Sequence, residues 1–312
     1  NPEFLSEGTA IKDLENPDRV LIGGNNKNSM LALSQLYKAW VPEDKILLTN
    51  IWSSELSKLT SNAFLAQRIS SINSISAICE VTGADIREVS RAIGKDSRIG
   101  SKFLDSGPGF GGSCFKKDIL NLVYLAEYFG LLEVARFWES VVEMNNWHQA
   151  RVAKIVVEKL FGTITNKKIA ILGFAFKANT NDTRESAAIK ICKDLMEEGA
   201  NLVIYDPKVS EIQIEKELEV KSLSNNKEGN EKHSIDAIGK WRYSQDIDIF
   251  KNAHAVLILT EWEEFKNINW LEISKKMIHP AWVFDSRSIV NPKAVIKAGL
   301  NLWRIGDGSK RT

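Results

Sequence analysis

Cys114 lies within Gly109-Phe110-Gly111-Gly112-Ser113-Cys114-Phe115-Lys116-Lys117-Asp118. The glycines give the backbone freedom and let a ligand come close to it. The residues after them read as the first turn of a helix, with two lysines and an aspartate just behind the thiol. An ordinary cysteine titrates near ~8.5, so little of it is thiolate at neutral pH; a helix N-terminus and nearby cations lower that value. The competing interpretation is a small buried hydrophobe, the common fate of an intracellular cysteine. It suits Cys79 and Cys192, which sit on apolar helical stripes (Ile75, Ile78, Cys79; Ile189, Cys192, Leu195, Met196). The chemistry around Cys114 points instead to a nucleophile.

Lys58 and Asn62 are four residues apart in a helical pattern and share a face; Glu3 and Glu7 have the same spacing. Taken alone, each pair reads as solvated surface. Converging with a thiol, they would make a site for carbonyl chemistry. A second cluster follows the apolar run Lys168 to Gly173: Lys177, Asn179, Thr180, Asn181, Asp182, Thr183 and Arg184. Such a loop either binds a phosphorylated ligand through charged side chains and amides or is a solvated turn. Asp206, closing the next strand, stands where an acidic group often meets a ribose hydroxyl. Asp285-Ser286-Arg287 closes a later strand, and its arginine could reach a phosphate or carboxylate.

The elements that must hold these groups follow from periodicity. Arg19 to Gly23 and Ile46 to Thr49 read as strands flanking a helix over Ser29 to Trp40, the tail of an α/β unit. From Ser53 to about Phe161 the pattern is helical, in three long stretches: Leu56 to Cys79, Ile119 to Ala126, and Val134 to Leu160. Strands then alternate with helices. Strands are expected at Lys168–Phe174, Leu202–Tyr205, Ala255–Leu259, Trp282–Asp285 and Asn301–Arg304, and helices at Ser186–Glu198, Leu271–Lys276 and Pro292–Ala298. This alternation predicts an α/β protein ending in a doubly wound parallel sheet. The polar stretch Lys221 to Gly239 is expected to be a surface loop.

Composition narrows the function classes. With 41 basic and 40 acidic side chains, nothing global attracts nucleic acid or an anionic membrane. The three cysteines form no disulfide framework or zinc pattern, and no two of the four histidines lie at ligand spacing, so no metal is expected. The apolar run Ala255 to Leu259 is far too short to span a bilayer. No secretory signal opens the chain, so a reducing, cytoplasmic compartment is expected. The opening Asn1-Pro2-Glu3-Phe4 reads like the middle of a longer protein.

Several segments, in order, carry a family resemblance: Asn1-Pro-Glu-Phe-Leu-Ser-Glu-Gly-Thr-Ala-Ile, Trp52-Ser-Ser-Glu-Leu-Ser-Lys-Leu, Asn62-Ala-Phe-Leu-Ala-Gln-Arg-Ile-Ser-Ser-Ile-Asn, Gly109-Phe-Gly-Gly-Ser-Cys-Phe, Gly173-Phe-Ala-Phe-Lys and Asp182-Thr-Arg-Glu-Ser. They resemble the UDP-glucose 6-dehydrogenase family, in its animal branch, from residue 1 to about 305. The resemblance implies three parts. Residues 1–50 would be the C-terminal remnant of an NAD-binding Rossmann domain, whose glycine fingerprint is expected upstream. Residues 51–161 would form a helical dimerisation domain, and 162–312 a Rossmann-like UDP-binding domain.

The implied reaction oxidises C6 of UDP-glucose twice with NAD, giving UDP-glucuronate through a cysteine thiohemiacetal and thioester. Cys114 resembles the nucleophile, which holds the aldehyde between the two oxidations. Lys58 resembles the residue that stabilises the C6 oxyanion, and Asn62 helps hold that oxygen. Asp118 resembles a base that positions water, and Glu3 an acid/base for thioester hydrolysis. Substrate contacts are implied for Glu3, Phe4, Leu5, Ser6 and Glu7; for Lys58, Leu59, Thr60, Ser61 and Asn62; and for Arg98. The same holds for Asp105, Ser106, Gly107, Pro108, Gly109, Phe110 and Gly111, and for Phe176, Lys177 and Arg287. Arg287 matches an arginine that in the family reaches across a dimer. Cofactor contacts are implied for Glu7, Cys114, Phe115, Lys116, Lys117 and Arg184. A homodimer assembling further to a hexamer is implied. Two alternatives stay open: a non-catalytic module that binds UDP-sugar and dimerises, or a related dehydrogenase acting on GDP-mannose or UDP-N-acetylmannosamine.

Overall fold

The computed structural model describes residues 1–223 and 239–309, so most of the stretch expected as a polar surface loop lies outside the described residues. In chain order the first elements are α1 (Ala10–Glu15), β1 (Val20–Gly23), α2 (Lys27–Tyr37), β2 (Ile46–Thr49), α3 (Ile51–Thr82), α4 (Ile86–Ile93), α5 (Phe115–Tyr128) and α6 (Leu132–Lys159). Then come β3 (Lys168–Leu172), α7 (Ala187–Glu197), β4 (Asn201–Tyr205), α8 (Glu211–Leu218), β5 (Lys240–Tyr243), β6 (Ala255–Ile258), α9 (Glu263–Lys266), α10 (Trp270–Ser274), β7 (Trp282–Asp285), α11 (Pro292–Lys297) and β8 (Asn301–Arg304). They divide into two compact units: Asn1–Ala66 with Cys114–Ser140, and Gln67–Ser113 with the residues from Val141 on.

In the first unit β1 and β2 pair in parallel, Val20 opposite Ile46 and Gly23 opposite Thr49. Their apolar residues pack with α2 around Val20, Ile22 and Val41. Helix α2 starts two residues before the expected Ser29, because the Asn26 side chain accepts from Ser29 N at 3.0 Å and caps the helix there. Helix α1 buries none of its residues, so it left no apolar period in the sequence.

The second unit is organised by a six-stranded parallel sheet in the order β5-β4-β3-β6-β7-β8. Relabelled from β3 onward, this is the 3-2-1-4-5-6 order of doubly wound sheets. Helices α7 and α8 follow β3 and β4, and α9, α10 and α11 follow β6 and β7. The core holds the central strands, with Ile169, Ile171 and Leu172 of β3 and all of β6 buried, as continuous apolar runs in a two-faced sheet require. The chain reverses winding direction between β3 and β6. There Gly173, at φ +92, follows β3 so closely against Thr260 that a Cβ would stand 2.4 Å from the threonine Cβ. Only glycine fits that approach, and Thr260 completes it by donating to Ala175 O at 2.6 Å.

Strands β7 and β8 match their expected bounds, and β3, β4 and β6 differ only by a residue or two at their ends. Elements α1, α4, α8, α9 and β5 were not anticipated. Helix α8 opens with a Ser210–Gln213 capping box but buries only Ile214 and Leu218. Strand β5 is an edge strand with only Trp241 fully inside.

Candidate active site

The five residues implicated in covalent chemistry all belong to the first unit. Cys114 is the N-cap residue of α5; its side chain makes no capping hydrogen bond, and the residue is exposed. One turn on, Asp118 N donates to Cys114 O at 2.9 Å, so the i,i+4 spacing stacks the carboxylate's residue over the thiol's. Asp118 is only 6 % exposed. Its Oδ2 accepts from Asn62 Nδ2 at 2.6 Å. Asn62 stands one turn from Lys58 on α3, and Lys58 Nζ lies 3.3 Å from Glu3 Oε1. The expected common face is therefore real, and it carries two polar pairs side by side, Lys58–Glu3 and Asn62–Asp118.

Phe4 braces this side. The Arg19 guanidinium stacks 3.8 Å from its ring centroid, and Arg19 Nη2 donates to Ser61 Oγ at 3.1 Å. Glu3, Phe4, Leu5 and Ser6 line a cavity of about 220 Å³ that also has Asp13 and Tyr37 in its wall. Lys58 and Leu59 line another, of about 350 Å³, with Trp52 and Asn121. Cys114 is in neither wall. Glu7 is exposed in the turn before α1, while Lys116 is half-buried and Lys117 exposed in the first turn of α5.

The second unit gathers a different set. The Phe176 side chain lies against Gly111 through its Cβ and against Gly112 through its ring. Lys177 Nζ is 5.4 Å from the Phe176 ring centroid, and Gly112 N donates to Arg184 O at 2.8 Å. Arg287 donates from Nη2 to Phe176 O at 3.1 Å and from Nε to Leu259 O at 2.8 Å, close beside Gly107. Glycine loop, Phe176, Lys177 and Arg287 thus converge at the carboxyl ends of the strands, near the topological switch where open sheets bind ligands. Arg98 is not part of this cluster. It pairs with Asp96 at 2.6 Å with its side chain 86 % exposed.

In the loop considered for phosphates, Arg184 is taken up by Asp182 at 2.6 Å, and that hydrogen bond holds the Asp182 carboxyl below its usual range. Thr183 donates to Glu217 at 2.9 Å. Asp206 is no ribose ligand. It is 2 % exposed, and its carboxylate accepts from Phe174 N, Ala175 N, Lys208 N, Val209 N and Trp262 Nε1. It staples the β3 and β4 ends together. Asp285 likewise points inward, accepting from Val290 N at 2.9 Å, and burial pushes its carboxyl up. Cys79 and Cys192 are buried, as expected of core thiols.

Sequence reasoning missed Asn73, Asn145, His148 and Gln149. They surround the glycine loop from helices α3 and α6, and no local motif marks them. Among the described residues no group of three His, Cys, Asp or Glu side chains is arranged to hold a metal, and no helix is long and apolar enough to cross a membrane.

Residues 1–41 match the NAD binding domain, 52–147 the central domain and 170–292 the UDP binding domain of the UDP-glucose/GDP-mannose dehydrogenase family. The chain belongs to that family. It is 56% identical over 295 residues to the UDP-glucose 6-dehydrogenase of Gallus gallus, covering 93% of this chain and 58% of that protein. It is 51% identical to the UDP-glucose 6-dehydrogenase of Caenorhabditis elegans, covering 98% of this chain and 63% of the relative. Among solved structures, a UDP-glucose dehydrogenase from the hyperthermophilic archaeon Pyrobaculum islandicum superposes with a TM-score of 0.79 at 29% identity, over 98% of this chain and 62% of that one. The chain therefore spans about three fifths of the length of the relatives it matches.

Proposed function

We propose that the complete protein oxidises C6 of UDP-glucose twice, to UDP-glucuronate, with Cys114 as covalent catalyst. The observation that carries this is the pairing of Asn62 with Asp118 and of Lys58 with Glu3, with the thiol one helical turn before Asp118. The similarity to UDP-glucose 6-dehydrogenases supports the substrate.

In this reading C6 gives up a hydride and its hydroxyl a proton, leaving an aldehyde, while the Lys58 ammonium stabilises the C6 oxygen. Cys114 then adds as a thiolate to C6 of the aldehyde. A C–S bond forms and the carbonyl oxygen takes a proton, giving a thiohemiacetal. Loss of a second hydride and a proton turns this into a thioester. Water attacks the thioester, the C–S bond breaks, and the thiolate is restored as the carboxylate departs. Asp118, held by Asn62, orients that water and takes its proton, while Glu3 shuttles protons beside Lys58. Asp105 to Gly111, Phe176, Lys177 and Arg287 bind the nucleotide-sugar.

When bound, NAD supplies the hydride acceptor for each oxidation. The residues present fit it: the N-terminus of α5 is positive by its dipole, and Lys116 and Lys117 lie in its first turn. With Glu7, Phe115 and Arg184, these are the residues of this chain that would hold the cofactor. The division at residues 50 and 161 into an NAD-domain remnant, a helical domain and a UDP-binding domain is part of the same proposal. So is residence in the cytoplasm. We infer too that a second copy covers part of the long helices. Ile75, Ile78 and Val81 recur every third residue of α3, and Val81 is 84% exposed.

Cys114→Ala in the complete protein tests the chemistry: UDP-glucuronate formation is abolished, and wild-type rates would sink the mechanism. A second reading rests on the match of residues 170–292 to a UDP binding domain, which makes the isolated chain a UDP-sugar-binding module. Separate titrations of UDP-glucose and NAD into this chain distinguish them, with sugar binding but no NADH supporting the module.

A further inference from the structure

Four side chains outside the roles above meet the backbone of the glycine loop, all within the second unit. Asn73 Oδ1 of α3 accepts from Gly107 N at 2.9 Å, and His148 Nε2 of α6 lies 2.9 Å from Gly107 O. Both side chains are fully buried. One peptide residue is thus gripped through its donor and its acceptor. Three residues on, Asn145 Oδ1 accepts from Phe110 N at 2.8 Å while its Nδ2 donates to Phe110 O at 3.2 Å. The amide of Asn145 pairs with Phe110 as an adjacent strand would. Gln149 Nε2 adds a longer bond to Phe110 O at 3.4 Å.

Gly109, between the two grips, is at φ +135, and a Cβ there would stand 2.9 Å from Asn145 Oδ1. The loop is pressed onto α6 and follows a path that only glycine takes. His148 is neutral at physiological pH, because burial and the Arg151 charge bring its pKa down to about 4. Facing a carbonyl, its Nε2 must carry the proton and donate. Its Nδ1, like Asn73 Nδ2, has no partner among the described residues. Each such orphaned polar atom costs roughly 1–3 kcal/mol, which apolar side chains of the same size would not incur. Packing alone does not account for this choice of residues. What they provide is directional control of two peptide groups.

We propose that His148 and Asn145, with Asn73, are positioning residues for nucleotide-sugar binding: they fix the Gly107–Phe110 backbone in the path the ligand meets. The inference rests on the reading that Asp105 to Gly111 bind a UDP-sugar. It is tested in the complete protein with His148→Gln, His148→Asn and His148→Leu, measuring melting temperature, kcat, and KM for UDP-glucose and for NAD. Glutamine carries its amide nitrogen about as far from the backbone as imidazole Nε2, while asparagine falls short and leucine has no donor. Loss of this one directional bond raises KM for UDP-glucose roughly tenfold in H148N and H148L, leaves KM for NAD within about twofold, and is largely rescued in H148Q.

A merely structural role would lower the melting temperature without moving KM for the sugar in any variant, and that result overturns the proposal. If H148L does not fold, the H148N and H148Q pair decides. A wild type that does not oxidise UDP-glucose overturns the functional reading instead. Calorimetric titration of UDP into wild type and H148N then reads the loop by itself: weaker binding in H148N sustains the inference, and equal affinity overturns it.

Discussion

Asn62 Nδ2 donates to Asp118 Oδ2 across 2.6 Å, tying α3 to α5 beneath the residue that bears the thiol. The carboxylate so held is nearly inaccessible, and its own backbone N–H bonds to the Cys114 carbonyl. Asp118 therefore has its orientation set from two sides, by a side chain and by the helix. This is the preorganisation that a water-orienting base requires.

Asp118→Asn separates chemistry from structure at this point. The amide keeps the shape and can still accept from Asn62, so stability to denaturant changes by about 1 kcal/mol or less. If the proposed mechanism holds, turnover of the complete protein falls by roughly a hundredfold or more, the usual contribution of a general base. Steady-state kcat for UDP-glucuronate within threefold of wild type would remove Asp118 from the reaction.

The three thiols differ in reach, which alkylation measures directly. Cys114 is exposed, while Cys79 and Cys192 are buried and burial pushes both thiols up. A buried, protonated thiol does not attack iodoacetamide. Native protein at pH 7.5 should take up one carbamidomethyl group, on Cys114, and denatured protein three. Modification of Cys192 in the native state, located by peptide mass spectrometry, would contradict the burial described here.

Much of this was legible in the sequence, for reasons that also explain the failures. Buried parallel strands are continuous apolar runs, so Ala255-Val-Leu-Ile announced β6, whereas edge strand β5 alternates around one inward Trp241 and carries no such run. The thiol was legible because its glycines, lysines and aspartate are neighbours in the chain. Asn145 and His148 were not, because their partners Phe110 and Gly107 are 35 and 41 residues away, and a polar residue on a long helix looks solvated until the fold supplies that partner. Asp206 was misread because an acid at a strand end has the same sequence signature whether it faces a ribose or accepts five protein donors.

Glu80 anchors the C-terminal strand to α3 within the second unit. Its carboxylate accepts from Arg151 Nη2 at 2.5 Å, Trp303 Nε1 at 3.1 Å and Gly306 N at 2.8 Å. Removing it strands a partly buried guanidinium along with two other donors. Glu80→Ala is expected to cost about 3–5 kcal/mol, as breaking a buried ion pair on one side does. Glu80→Gln, which keeps one acceptor oxygen, should fall between alanine and wild type in urea unfolding. Alanine and wild type of equal stability would show that the cluster contributes nothing.

His148 makes the stability of the second unit depend on pH with a definite sign. In the fold its pKa is lowered to about 4 by burial and by the Arg151 charge, whereas an unfolded histidine titrates near ~6.5. Above that unfolded value the ring is neutral in both states and its contribution is fully present. As pH falls through the window between the two values, the unfolded chain takes up a proton that the folded one refuses, and stability drops. Integrated over the window, the loss is roughly 3 kcal/mol. Below about pH 4 the folded ring is protonated as well, and this group adds no further loss. His148→Gln lacks the titrating ring, so its drop in unfolding free energy between pH 7 and pH 4.5 should be smaller than wild type's by roughly 2–2.5 kcal/mol. Parallel pH profiles for the two proteins would mean that His148 is not the neutral, buried donor to Gly107 that the geometry requires.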